Sequence, residues 1–408
     1  MNNTQVLTNI EKIIKNDYLP AWQNQINTQP SAFLSKVKKV KLTSDVIKAG
    51  APFGLSGGFG FGYEGENTPK SGAQAYEGFT VKSKDMYVNV EISEKAVELG
   101  GTSGSIVGLL DAEIKAAYEA AKWNVGRALF GDGTGKLCEI EFIATGGEGY
   151  NTAVVKDGFD TRFLKEGLTV DIYAKGTTTG SKLARIKNID RANKTITFYN
   201  PVEGIATGVD YELTVQNSLN RELTGLGAIM NLTNGGTELY GVKTSENSVI
   251  VPTVIDAGED VSDAIIRSGL RTALRDKNGK IDLILCGDVA FDAYVEYLRT
   301  NNIRVEDSSK DIEGGFKAVT FLFDNREVEL VEEQFVPANE MWGVDTSAWE
   351  FHCLDWDFAQ LKDGGVFNLM ENKSSYRALL RNYGNLICSN PGGCLRIKNV
   401  GGYDLLEK

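Results

Sequence analysis

The stretch 102–136, TSGSIVGLLDAEIKAAYEAAKWNVGRALFGDGTGK, constrains this chain more than any other. Apolar side chains fall at Val107, Leu110, Ile114, Ala117, Tyr118, Ala121, Val125, Ala128 and Leu129, the three-and-four spacing that puts them on one face of an α-helix. That face has to be buried. Ser103 or Ser105 suits the cap, alanines at 112, 116, 117, 120, 121 and 128 favour helix throughout, and the glycines from Gly131 onward stop it. Its roughly 25 helical residues run about 37 Å at about 1.5 Å per residue. That is longer than most helices of a compact domain, so the helix reads as the backbone of something extended.

A chain of 408 residues exceeds the size, about 250–300 residues, at which one core usually splits, so at least two packed units are expected. Forty-five glycines against 8 prolines, with 42% hydrophobic residues, describe a globular chain rich in turns. No apolar run reaches the roughly 18 residues of a membrane span. The start, MNNTQVLTNIEKIIKNDYLP, has neither a basic beginning nor an apolar signal core; the expectation is a cytoplasmic protein without a membrane partner. Cys138, Cys286, Cys353, Cys388 and Cys394 are odd in number and form no CxxC pair, which argues for reduced thiols. A net charge of −12 gives no basic footprint for nucleic acid.

Residues 1–50 are polar, with one short helical period at Val6, Ile10, Ile13 and Ile14 and another at Trp22 and Ile26; such a segment reads as an arm lying on another surface or, equally, as a frayed terminus. In 51–79, glycines separate Phe53, Phe59, Phe61, Tyr63, Tyr76 and Phe79 without helical period. Gly57, Gly58, Pro69 and Gly72 divide it into two arms and a tip, a long β-hairpin carrying aromatics outward. Residues 79–93 alternate as a half-buried strand, and Ser93 caps a short helix ending at Gly100. Between 149 and 218 the strands 168–174, 183–189, 194–200 and 211–215 alternate with turns, the pattern of a small β-barrel or sandwich inserted into the chain. Helix, strand, helix follow over 260–299, with Asp260 or Ser262 capping the first helix, 281–286 as a buried strand and Asp288 capping the second helix: an α/β layer. Strands at 319–324, 327–333, 341–345 and 349–354 follow, and the chain finishes with the segment 376–390 and the short 395–400.

The sequence offers little chemistry. His352 is the single histidine, embedded in a strand whose neighbouring residues face opposite ways, so a histidine base or a zinc site is poorly supported. GDGTGK at 131–136 fails the phosphate-loop spacing, which would need Gly at Phe130 and Ser or Thr at Leu137, and it follows a helix instead of preceding one. Asp355 with Asp357, and Glu332 with Glu333, read as solvated charge runs. Cys388 and Cys394 flank SNPGG, a spacing that would suit a metal or a disulfide turn, but two cysteines alone do not make a closed site and buried free thiols are the expectation. No catalytic, metal or cofactor-binding residue is expected.

The order of these features resembles the major capsid proteins of tailed double-stranded DNA phages, the Hong Kong 97 fold family. The resemblance rests on the arm, the glycine-rich loop, Ile92-Ser93-Glu94-Lys95 at the end of a strand, the long helix closing in Gly131-Asp132-Gly133-Thr134-Gly135, and Arg221-Glu222-Leu223-Thr224-Gly225-Leu226-Gly227-Ala228-Ile229, which is similar to a family G-L-x-x-I segment. It implies an α+β, Hong Kong 97-type capsid fold: N-terminal arm 1–50, extended loop 51–84, peripheral domain 85–148 with spine helix 103–130, a β-barrel-like insertion domain 149–218, and an axial α/β domain 219–408 whose C-terminal strands return to the peripheral domain. The implied function is an icosahedral shell around a phage genome, without enzyme activity. Implied partners are the chain itself in hexamers and pentamers, a separate scaffolding protein and a portal, with packaged DNA touched loosely; the implied location is the virion, assembled in a bacterial cytoplasm. A bacterial compartment shell of the same fold and an α/β metabolic enzyme are the alternatives. Implied subunit contacts are Phe59, Phe61, Tyr63, Glu64, Tyr76 and Phe79 of the loop and Tyr118, Lys122 and Trp123 of the spine helix. Lys70, Lys82 and Lys84 are available for a covalent cross-link, but no acidic partner site is recognisable, so none is expected.

Overall fold

The computed structural model describes residues 31–53, 58–65, 67, 68, 70, 72, 75–95, 105–143, 150–258, 261–300, 318–360, 365–371 and 373–401. They form two compact units: Met1–Val125 together with Ile229–Lys408, and Gly126–Ala228 between them in sequence.

Gly126–Ala228 is built on a closed barrel of six antiparallel strands. In chain order the strands are Lys136–Ile143, Tyr150–Val155, Thr169–Ala174, Lys182–Asp190, Thr195–Val202 and Asp210–Val215. Alternation fills the inside: Ile196 and Phe198 are buried while Tyr199 is exposed, and the Phe142 ring meets Phe198 at 5.8 Å and Tyr211 at 5.6 Å. Register shifts at Tyr150/Thr152, Ile186/Asn188 and Leu213/Thr214 are bulges, which bend strands enough for a sheet to close on itself. The β-rich stretch 149–218 holds five of the six strands; the sixth, Lys136–Ile143, lies ahead of it and pairs with Tyr150–Val155 on one side and Asp210–Val215 on the other. Its alternation is broken by Glu139, a carboxylate buried because Lys136 at 2.5 Å and Lys175 at 2.8 Å neutralise it.

In the other unit a six-stranded mixed sheet runs in the order Val319–Phe323, Arg326–Glu332, Leu283–Cys286, Met341–Val344, Leu395–Lys398, Thr253–Asp256. Leu283–Cys286 is buried at every residue, which is why it reads as a continuous apolar run. Helices Asp263–Lys277 and Asp288–Thr300 bring Ile266, Leu270, Ala290 and Tyr294 into one core with Ile284, Leu330 and Ile397. Ser262 is the first helix's cap, its hydroxyl accepting from the Ile265 N–H at 3.4 Å. Asp288 stands inside the second helix's first turn.

A second six-stranded sheet of the same unit is centred on the 14-residue strand Ser375–Cys388. Lys84–Ser93 pairs with it antiparallel from Ser375↔Ser93 to Gly384↔Lys84, and Trp349–Cys353 pairs with it from Trp349↔Cys388 to Cys353↔Gly384. Lys38–Lys41 adds a parallel edge to Trp349–Cys353. This corrects the reading of 31–50 as an arm: Ala32, Phe33 and Leu34 are fully buried, and Phe33 meets Trp349 edge-on at 5.2 Å. The short helical periods before residue 31, and the helix expected to end at Gly100, lie outside the described residues, the latter except for Glu94 and Lys95.

Candidate assembly surface

The hairpin expected at 51–84 exists with earlier, longer arms. Val46–Phe53 pairs with Ala75–Lys82 from Val46↔Lys82 to Phe53↔Ala75, and the strand expected over 79–93 is split by Ser83 into that arm and Lys84–Ser93. Between the arms, Phe59, Phe61 and Tyr63 are 81%, 95% and 85% exposed, and Glu64 is exposed as well. Phe59 and Phe61 touch each other edge-on at 5.2 Å. Three large aromatics open to solvent within five residues are an apolar patch of the kind that marks a contact surface.

Phe79 has another role. It is fully buried against Tyr240 at 5.5 Å, and the Thr80 N–H donates to the Tyr240 carbonyl at 3.1 Å. It anchors the base of the hairpin, so the expectation that it contacts a neighbour is corrected. Tyr76 stands opposite Pro52 in the ladder.

On the long helix, observed at Ser105–Leu129, Tyr118 is 5% exposed; burial first and Glu119 second push its phenol up to about 12. Its ring belongs to the packing of its own unit, so Tyr118 is also corrected as a contact residue. Lys122 and Trp123 are half-buried, and Trp123 meets Phe335 at 6.0 Å.

The glycine-rich turn after the helix is closed on itself. Asp132 accepts from the Thr134 N–H at 2.9 Å and from its hydroxyl at 2.5 Å, and Lys136 is held between Glu139 and Glu212 at 2.5 and 3.0 Å. Neither the amide nor the ammonium is left to cradle a phosphate. The chain returning from the barrel runs alongside: the Asn220 N–H donates to the Thr134 carbonyl at 2.7 Å. Gly225 and Gly227 sit so close to the Leu129 and Phe130 carbonyls that a Cβ would collide. Sequence reasoning found this segment only as a motif; its physical content, glycines permitting two backbones to touch, needed the pairing.

The chemical candidates are placed as follows. His352 lies in the strand Trp349–Cys353 with Nε2 3.1 Å from Glu350, a structural setting. Asp355 and Asp357 line a cleft of about 670 Å³, which they share with Lys39, Lys41 and Arg381. That is an arrangement of opposite charges, not of two facing carboxylates. Glu332 and Glu333 differ: Glu333 is buried, not solvated, and burial raises its carboxyl to about 8 against hydrogen bonds from Ser31, Phe335 and Gln334. Cys138, Cys286, Cys388 and Cys394 are buried thiols, and burial pushes that of Cys353 up to about 11. Among the described residues no group of three His, Cys, Asp or Glu side chains could hold a metal, and no helix is long and apolar enough to cross a membrane.

No protein-family model and no curated protein matches the chain. Among solved structures, a chain of the cyanophage A-1(L) capsid asymmetric unit superposes with a TM-score of 0.51 and 11% identity, covering 90% of each chain. The fold is that of a phage capsid chain. Two further likenesses are the capsid of the native GTA particle, with TM-score 0.47, 9% identity and coverage of 91% and 90%, and the satellite phage P4 procapsid including size determination (Sid) protein, with TM-score 0.43, 11% identity and 99% of each chain. The resemblance drawn from the order of loop, helix and α/β layer therefore holds at the level of the fold. A six-stranded closed barrel is set into the chain between the long helix and the α/β layer.

Proposed function

We propose that this chain is the structural protein of an icosahedral phage head, assembling with copies of itself into a shell around double-stranded DNA. The observation that carries the reading is the capsid-chain fold over nine-tenths of the sequence, joined to an exposed aromatic tip that a lone monomer has no use for. In the Hong Kong 97 scheme, 51–84 is the extended loop, Ser105–Leu129 the spine helix, and the α/β layer the axial domain; the barrel is an insertion. Phe59, Phe61 and Tyr63, with Glu64 and Tyr76, lie across a neighbour's spine helix near Lys122 and Trp123, burying apolar area at about 25 cal/mol per Å² in every copy of a closed symmetric shell.

The chain's partners are itself in hexamers and pentamers, a separate scaffolding protein and a portal, with assembly in the bacterial cytoplasm. It has no enzyme activity. A net charge of −12 limits adhesion of packaged phosphate to the wall. The compartment-shell alternative has no specific observation in its favour. The test is expression of the full chain, alone and with a scaffolding protein, followed by electron microscopy: closed shells support the reading, and small oligomers under both conditions overturn it.

A further inference from the structure

Two Asn-Gly pairs stand in the sequence, Asn234-Gly235 and Asn278-Gly279, and the fold treats them in opposite ways. In such a pair the glycine amide nitrogen can attack the asparagine side-chain carbonyl, because glycine has no Cβ to obstruct the approach. The reaction needs that N–H open to solvent and a backbone able to turn the nitrogen toward Cγ.

Both conditions are met at Asn234. Asn234, Gly235 and Gly236 form an exposed turn, and a Cβ on Gly235, at φ +90°, or on Gly236 would meet nothing within 4 Å. Among the described residues, neither the Asn234 side chain nor the Gly235 N–H makes a hydrogen bond. The stem below the turn is pinned instead. The Thr233 N–H donates to Thr237 Oγ1 at 3.3 Å, the Thr237 hydroxyl donates back to the Thr233 carbonyl at 3.1 Å, and the Thr244 hydroxyl donates to the Thr237 carbonyl at 3.0 Å.

Asn278 is held shut. It caps the C-terminus of the helix Asp263–Lys277 at φ 50° and ψ 34°, its own N–H donating to the Leu274 carbonyl at 3.1 Å. The attacking group is occupied as well, since the Gly279 N–H donates to the Ala273 carbonyl at 3.0 Å. Gly279 is buried so tightly on Gly393 that a Cβ would stand 2.1 Å from its carbonyl oxygen. Ring closure there requires the cap to open first.

We propose that Asn234 is a self-modification site, at which the folded protein loses the side-chain amide to water and gains aspartate or isoaspartate, while the helix cap preserves Asn278. The Gly235 nitrogen, its proton taken by hydroxide, bonds to Asn234 Cγ. Nδ2 takes a proton from water and leaves as ammonia, closing a succinimide ring. Water then adds to one of the two ring carbonyls, that C–N bond breaks, and the nitrogen regains its proton. Opening at Cγ gives aspartate; opening at the main-chain carbonyl gives isoaspartate, whose backbone is one methylene longer. One water is consumed, one ammonia is released, and no oxidant or reductant is needed. Either product sets a carboxylate where a neutral amide stood, on a chain already at −12. Isoaspartate also lengthens the span between Thr233 and Thr237, which the two hydrogen bonds of the stem hold together.

The test incubates the full-length protein at mildly alkaline pH, native and in denaturant side by side, and follows peptides by mass spectrometry. Tryptic peptide 222–243 carries Asn234 and no internal lysine or arginine, and chymotryptic peptide 275–283 carries Asn278. In the native protein, peptide 222–243 converts to two chromatographically separable products, each one mass unit heavier, at a rate close to that in denaturant. Fragment ions place the change at Asn234 and not at Asn231. Peptide 275–283 converts in denaturant but at least about tenfold more slowly in the native protein, because only the opened cap reacts. Asn234→Gln removes both products of peptide 222–243 and leaves the circular dichroism spectrum unchanged. A native peptide 222–243 that stays intact while its denatured counterpart converts overturns the proposal, as does equal native conversion at Asn234 and Asn278.

Discussion

Arg127 grips Glu222 with two hydrogen bonds, 2.5 and 2.8 Å long, and the two side chains are only 4% and 7% exposed. Arg127 stands in the last turn of the long helix and Glu222 in the segment returning from the barrel. The pair therefore ties together the chain's two passages at the barrel's base, the neck of that unit.

Removing one partner leaves a buried charge without compensation, which typically costs about 3–5 kcal/mol. Arg127→Met and Glu222→Gln should each lower stability by that order in denaturant titrations. The double variant Arg127→Met with Glu222→Leu should lose clearly less than the sum of the two, because it buries no charge. Full additivity would mean that the two side chains do not act as a pair.

Gly225 and Gly227 are predicted to be intolerant for a different reason. A Cβ at either meets a backbone carbonyl, that of Leu129 or Phe130, and backbone cannot step aside as a side chain can. Gly225→Ala should cost more than about 2 kcal/mol. Gly236→Ala, where a Cβ meets nothing within 4 Å, serves as the control and should fall within about 0.5 kcal/mol of the parent. Equal midpoints for the two variants would show that the neck is loosely packed.

Glu333 gives a pH dependence whose sign is fixed. Burial raises its carboxyl from 4.5 to about 8, so between those values the folded state holds a proton that the unfolded state has lost. Stability from this group is complete below the lower value, falls as pH rises through the interval, and is level above it. Glu333→Gln should match the parent at about pH 4.5 and exceed it by a growing margin, on the order of several kcal/mol by about pH 9. Thermal unfolding across that range reads it directly; a constant gap would place the carboxylate in contact with solvent.

Local periodicity carried far in this chain. The long helix, the strands Thr169–Ala174 and Asp210–Val215, and the helix capped by Ser262 stand within two residues of where spacing and capping place them. Pairing is where sequence stops being informative. Nothing near Lys84–Ser93 signals that its partner is Ser375–Cys388, far along the chain, and nothing near Val46 distinguishes a hairpin arm from a terminal arm. Burial also inverts local signals: Glu139 hides a strand by being a buried acid, and Phe79 and Tyr118 look like contact aromatics until their own unit covers them. Phe59, Phe61 and Tyr63 were legible because glycine-rich sequence cannot bury three rings by itself.

The central claim is that these exposed rings join copies of a folded subunit into a shell. Sedimentation velocity of the parent chain beside Phe59→Ser/Phe61→Ser/Tyr63→Ser, under conditions where the parent assembles, tests it most directly. The account predicts fast-sedimenting closed particles for the parent, and for the variant only subunits or small oligomers with an unchanged circular dichroism spectrum. Identical particles from both would contradict it, as would a parent chain that never leaves the small-oligomer range.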